Sequence, residues 1–139
     1  MIALDTNILT RYLLNDDPAQ AEAAVKLLAS GEALLVPLTV WLELAWVLEC
    51  YDCTRQEIAG AVRHILGLPH LQTTDMAALL RALDGYEHGL DFADAMHLAL
   101  SSRAHSLASF DRAFARVAKR IDMPPPVIVP GGRRRSRAG

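Results

Sequence analysis

Ile2-Ala3-Leu4-Asp5-Thr6-Asn7-Ile8-Leu9 reads as a short apolar strand that stops at an acid and runs straight into a helix reaching Leu14. A brief apolar run bounded by polar residues and followed by helical periodicity fits a buried strand feeding a helix. The pattern recurs along the chain. Leu34-Leu35-Val36, stopped by Pro37, predicts a second buried strand. Ser106 to Phe110, ending at Asp111, predicts a third, and Val127-Ile128-Val129 after a proline triplet predicts the last. Between them lie helix signals. Asp16-Asp17-Pro18 opens an Ala-rich helix that closes near Gly31, and Thr39 is placed to cap a helix running to about Cys50. Thr54 followed by Glu57 is a capping box for a helix ending near Gly67. Asp75 caps a helix reaching Tyr86, which His88-Gly89 ends, and Asp91-Phe92-Ala93-Asp94 starts another that is expected to extend through Arg103. Short apolar strands alternating with helices predict an α/β fold, with a parallel sheet covered on both faces.

The chain has 139 residues and a formal net charge of −2, which fits one domain over 1–130 and an Arg/Gly-rich tail over 131–139, expected to be disordered. The near-neutral total hides a split. Residues 1–100 carry 5 basic and 14 acidic side chains, whereas residues 101–139 carry 9 basic and 2 acidic. Two cysteines cannot build a disulfide framework and point to a reducing compartment, so the cytoplasm is the expected location. The opening Met-Ile-Ala-Leu-Asp lacks the basic start of a signal peptide. The apolar run from Ala33 is broken at Glu43, short of the roughly 20 residues a membrane span needs, so no membrane partner is expected.

Asp5 and Asp111 share a setting, each where a predicted strand gives way to a helix. In a parallel sheet those strand ends lie on one rim, where α/β proteins place their sites. Asp94 lies in the first turn of the helix feeding the Leu107 strand. Glu43 is the single acid between residues 33 and 48, in an apolar helix, and is expected to face buried surroundings. A plainer reading stands beside this one. Asp at a helix start is commonly an N-cap, which suffices for Asp16 and Asp75 and competes for Asp111. Glu43 has no Arg nearby in sequence to pair with, and an unpaired buried carboxylate is costly. Four acids gathered on one rim would repel unless a divalent ion sat between them, and hard oxygen ligands suit Mg²⁺ or Mn²⁺.

Leu4-Asp5-Thr6-Asn7-Ile8-Leu9, the lone Glu43, Asp91-Phe92-Ala93-Asp94-Ala95-Met96-His97-Leu98-Ala99 and Ser109-Phe110-Asp111 together resemble the PIN domain, and more narrowly the VapC-type toxins of toxin–antitoxin pairs. The resemblance runs from residue 2 to about 129. It implies a three-layer α/β/α sandwich around a central parallel sheet and an endoribonuclease that leaves a 5′-phosphate and a 3′-hydroxyl. It also implies that Asp5, Glu43, Asp94 and Asp111 are metal-binding catalytic carboxylates, with Thr6 as the hydroxyl beside the first of them. A cognate VapB-type antitoxin and a homodimer follow from the same resemblance. In that scheme Asp5, Glu43 and Asp94 hold the principal Mg²⁺ or Mn²⁺, Asp111 serves a weaker or second ion, and Asp91 supports from behind or merely caps its helix.

Arg112, Arg116, Lys119 and Arg120 recur at helical spacing on one face, as a phosphate grip for RNA or as an ordinary solvated face. Arg133, Arg134, Arg135 and Arg137 could add unspecific affinity, and Arg11 is a weaker candidate. Cys50-Tyr51-Asp52-Cys53 follows a helix instead of opening one and lacks further zinc ligands nearby, so ordinary thiols are expected. His97 is expected to pack on its helix, and Trp41 and Trp46 to be core or dimer surface. Three rivals to the toxin reading remain. A PIN nuclease that processes RNA without an antitoxin differs by the lack of a small reading frame upstream. A phosphoacceptor module needs a Lys after the last strand, where neither Lys26 nor Lys119 lies. A silent binding module leaves all four acids without a task. Transfer, ribosomal and messenger RNA all fit as substrates.

Overall fold

Leu34-Leu35-Val36 becomes the middle strand of a parallel three-stranded sheet in the computed structural model, which describes residues 1–131. The sheet lies in the first of two compact units, Met1–Leu79; the second begins at Leu80. In chain order the first unit holds β1 (Ile2–Ala3), α1 (Thr6–Leu14), α2 (Pro18–Leu28), β2 (Leu34–Val36), α3 (Leu38–Cys50), α4 (Arg55–Leu66), β3 (Leu71–Thr73) and the start of α5 (Met76–Glu87). β1 pairs with β2 in the register Ile2↔Leu34 and Ala3↔Leu35, and β3 joins the other edge with Leu34↔Leu71 and Val36↔Thr73. Leu34 and Val36 are buried completely, as a central strand requires. Ile2 and Ala3 are exposed instead, so the burial expected of the first strand is carried by Leu4 alone.

The helix starts follow from local chemistry. Asp17 accepts from the Gln20 amide at 3.1 Å, Thr54 and Glu57 form the full capping box, and Asp75 accepts from the Ala78 amide at 3.0 Å. Thr39 does not cap α3. The N-cap is Pro37, and the Leu38 amide finds its acceptor in the Thr74 hydroxyl at 3.1 Å. That acceptor lies next to β3, a strand absent from the sequence reading. α3 and α4 bury Trp41, Leu44, Ile58 and Ile65 in the core of this unit. At roughly 1.5–3 kcal/mol for each large side chain removed from water, this stripe is what holds the helices on the sheet.

The second unit holds the rest of α5, then α6 (Phe92–Leu100), β4 (Leu107–Ala108), α7 (Arg112–Arg120) and β5 (Val127–Ile128). β4 and β5 pair in parallel, with Leu107↔Val127 and Ala108↔Ile128. α6 stops three residues earlier than expected, at Leu100, where the Ser101 hydroxyl turns back to the His97 carbonyl at 2.7 Å. The chain leaves α5 through Gly89 at φ +120°, a conformation L side chains rarely adopt, and the Arg120 guanidinium donates to the His88 carbonyl there at 3.0 Å. The α/β class read from the sequence is what folds, since all strand pairs are parallel. The strands form a three-stranded and a two-stranded sheet. Among the described residues no helix is long and apolar enough to cross a membrane. Arg133, Arg134, Arg135 and Arg137 lie outside the described residues.

Candidate active site

In the first unit, Leu4 anchors the end of the β1 segment by donating its amide to the Leu35 carbonyl at 2.8 Å. Asp5 then takes the N-cap position of α1 in an extended conformation, yet its side chain caps no amide. The carboxylate is exposed. Beside it Thr6 is buried, and its Oγ1 has no hydrogen-bond partner among the described residues. A buried hydroxyl without a partner costs about 1–3 kcal/mol. A free carboxylate beside an orphaned hydroxyl fits the hydrated oxygen shell of a divalent cation.

Glu43 does not meet its expectation of buried surroundings. α3 buries Val40, Trp41, Leu44, Ala45 and Leu48, and Glu43 lies off that stripe with its side chain exposed. Trp46, one turn on, is exposed with it, whereas Trp41 is fully buried.

In the second unit, Asp91 caps α6 by accepting from the Asp94 amide at 3.3 Å. Asp94 is half-buried, and burial first, then the charges of Asp91 and Asp111, push its carboxyl above the ordinary value; His97 pulls the other way. Asp111 caps α7 by accepting from the Phe114 amide at 3.0 Å through Oδ1, so the capping role weighed for it is present. That bond engages one carboxylate oxygen of the two. Asp91, Asp94 and Asp111 thus share one electrostatic neighbourhood. Among the described residues, however, no group of three or more His, Cys, Asp or Glu side chains is close enough to enclose a metal ion.

The cations divide. Arg112, Arg116 and Lys119 are exposed and have no ion pair among the described residues. Arg116 and Lys119 edge an apolar groove of about 700 Å³ floored by Ala115, Ala118, Met123 and Val127. Arg120 is exposed as well, and one of its guanidinium nitrogens donates to the His88 carbonyl at 3.0 Å. Arg11 is committed, to Gln20 Oε1 at 2.7 Å and to Asp16 at 2.9 Å, and is no free substrate contact. Cys50 and Cys53 are free thiols. His97 is exposed rather than packed. Sequence reading gives Phe110 no role beyond ending a strand, but β4 stops at Ala108 and leaves Phe110 exposed directly before Asp111. The signal available was that adjacency of ring and acid.

The family model for the PIN domain matches residues 2–120. No curated protein matches the chain.

Proposed function

Because the chain belongs to the PIN domain family, a family of nucleases that usually use divalent ions, we propose that it is a Mg²⁺- or Mn²⁺-dependent endoribonuclease. One observation carries the reading: the Asp5 carboxylate heads α1 without capping it, beside the unpartnered Thr6 hydroxyl. An acid in the usual N-cap role would hold the N2 or N3 amide, as Asp17, Asp91 and Asp111 do.

In this reading Asp5, Glu43 and Asp94 would be the carboxylates that hold the principal ion, and Asp111 would serve a weaker or second one. A bound divalent ion supplies Lewis acidity, lowering the pKa of a water and offsetting charge on the scissile phosphate. Thr6 orients a water or a phosphate oxygen through its free hydroxyl. Asp91 holds the first turn of α6 and keeps the field around Asp94 negative, which favours cation binding. Arg112, Arg116 and Lys119 hold phosphates flanking the cleaved bond. We further propose that residues 1–130 form the PIN domain and that the chain acts as a VapC-like toxin. A VapB-type antitoxin would neutralise it, and it would work as a homodimer in the cytoplasm. A small reading frame immediately upstream, whose product suppresses the cleavage, supports the toxin assignment.

The activity is tested with purified protein and total RNA in Mg²⁺, in Mn²⁺ and in EDTA. Cleavage is expected in the two metal buffers and not in EDTA, and Asp5→Asn is expected to abolish it while leaving the circular-dichroism spectrum unchanged. Full activity of a folded Asp5→Asn chain overturns the assignment.

A further inference from the structure

The chain has 8 aromatic side chains, 2 Trp, 3 Tyr and 3 Phe. Trp41, Tyr86, Phe92 and Phe114 are buried, Tyr12 stacks on His64, and the Tyr51 hydroxyl bonds Asp16. Trp46 and Phe110 stand apart at 66% and 81% exposed, with no ring contact or hydrogen bond among the described residues. Each is beside a carboxylate of the proposed site. Trp46 follows Glu43 by three residues on α3, a spacing that puts two side chains on the same helical face.

Phe110 immediately precedes Asp111, in a turn fixed from both sides. The Ser109 amide donates to the Ile128 carbonyl at 2.9 Å, and the Asp111 amide donates to the Ser109 hydroxyl at 3.1 Å. Asp111 in turn holds the Phe114 amide. The ring is therefore held outward by an ordered turn. Arg112 and Arg116, both without an ion pair among the described residues, follow at once in sequence. An exposed ring beside unpaired guanidinium groups is the chemistry that holds single-stranded nucleic acid. Bases of any identity stack on the ring while phosphates meet the cations.

We infer that Trp46 and Phe110 are stacking platforms for unpaired bases of a single-stranded RNA, one beside Glu43 and the other beside Asp111. The inference rests on the proposed RNA cleavage and narrows its substrate to loops and single strands, because bases inside a duplex present no free face. Stacking positions the strand and does not touch the reacting atoms, so it acts on binding and leaves the chemical step alone.

The test uses a labelled single-stranded oligoribonucleotide and its duplex, with the Asp5→Asn chain in Mg²⁺ so that bound RNA stays intact. Trp46→Ala and Phe110→Ala, each added to that chain, are expected to weaken single-strand binding about tenfold and to leave the weak duplex binding unchanged. Trp46→Phe and Phe110→Tyr are expected to restore it. In the otherwise wild-type chain the alanine variants raise KM and leave kcat as it was. Single-strand affinity equal to the parent overturns the inference. So does an equal loss on single strand and duplex, or a loss that accompanies conversion of a dimer to monomer, which assigns the ring to a chain–chain contact. Cleavage by the wild type with unimpaired binding of both alanine variants removes the stacking role alone. Ring-dependent binding without any cleavage by the wild type removes the nuclease reading alone, and a parent chain that binds no RNA removes both.

Discussion

The Trp41 indole donates to Thr73 Oγ1 at 2.9 Å, and that same hydroxyl donates to the Val36 carbonyl at 2.9 Å. One threonine thereby ties α3, which carries Glu43, to the ends of β2 and β3. Both bonding capacities of the hydroxyl are used, and the indole N–H of a fully buried Trp is satisfied.

Replacing Thr73 with Val keeps the shape and removes the hydroxyl, leaving the indole N–H unpaired in the core. Thr73→Val is expected to lower stability by about 1–3 kcal/mol. Urea unfolding followed by the Trp41 signal measures this, and a Trp46→Phe background keeps the exposed indole out of the reading.

Glu57 closes the capping box of α4, and its bonds to Thr54 hold its carboxyl below the ordinary Glu value. A lowered folded pKa adds stability that is present above the unfolded pKa and lost as pH falls through the folded one. Glu57→Gln is therefore expected to destabilise the chain slightly at neutral pH, with the difference fading in acid. Thr54→Ala removes the cap itself, at a cost of about 1 kcal/mol, and that cost persists at low pH. Thermal melts of both variants across pH separate the two effects.

Gly89 adopts φ +120°, and a Cβ there would lie 2.8 Å from Arg120 Nη2. Gly89→Ala is expected to cost about 1–3 kcal/mol through backbone strain and a displaced guanidinium. Arg120→Met should cost less, because it leaves the turn conformation intact. RNA affinity in Arg120→Met is expected to stay close to that of the wild type, in contrast to Arg112→Met; electrophoretic mobility shifts on one RNA compare the two.

The caps were legible because each is settled within three residues, a side-chain oxygen meeting an amide one turn on. Thr54, Asp75, Asp91 and Asp111 cap as their spacing predicts, whereas the cap expected of Asp16 falls to Asp17, and Asp16 instead pairs with Arg11 and accepts from the Tyr51 hydroxyl. β3 was not legible. Leu71-Gln72-Thr73 has too few residues to show a period, and pairing with Leu34 to Val36 makes it a strand. The start of α3 failed for the same reason, since the acceptor for the Leu38 amide is Thr74, thirty-six residues away. The exposure of Glu43 also escaped the sequence, because a helix as apolar as Leu38–Cys50 does not announce which face it leaves open. Positions of the acids on helices could be read; what surrounds each of them is a tertiary property.

Asp94 is raised by burial and by the neighbouring charges of Asp91 and Asp111. A raised folded pKa gives stability that is fully present below the unfolded pKa and is lost as pH rises through the folded one. In EDTA, Asp94→Asn is accordingly expected to melt above the wild type at neutral pH, with the gap closing as pH falls through the carboxylate range. Mg²⁺ or Mn²⁺ is expected to raise the wild-type melting temperature, by about 2.7 kcal/mol of stability at a hundredfold excess over Kd. That increment should be largely lost in Asp94→Asn, and differential scanning fluorimetry reads both results.

The most direct test of metal-dependent RNA cleavage through Asp5 is to map RNA ends in cells expressing the wild-type chain beside Asp5→Asn. New 5′-phosphate and 3′-hydroxyl ends at discrete single-stranded positions, present with the wild type and absent with Asp5→Asn, are the predicted result. Identical end maps from the two chains at equal expression would contradict it.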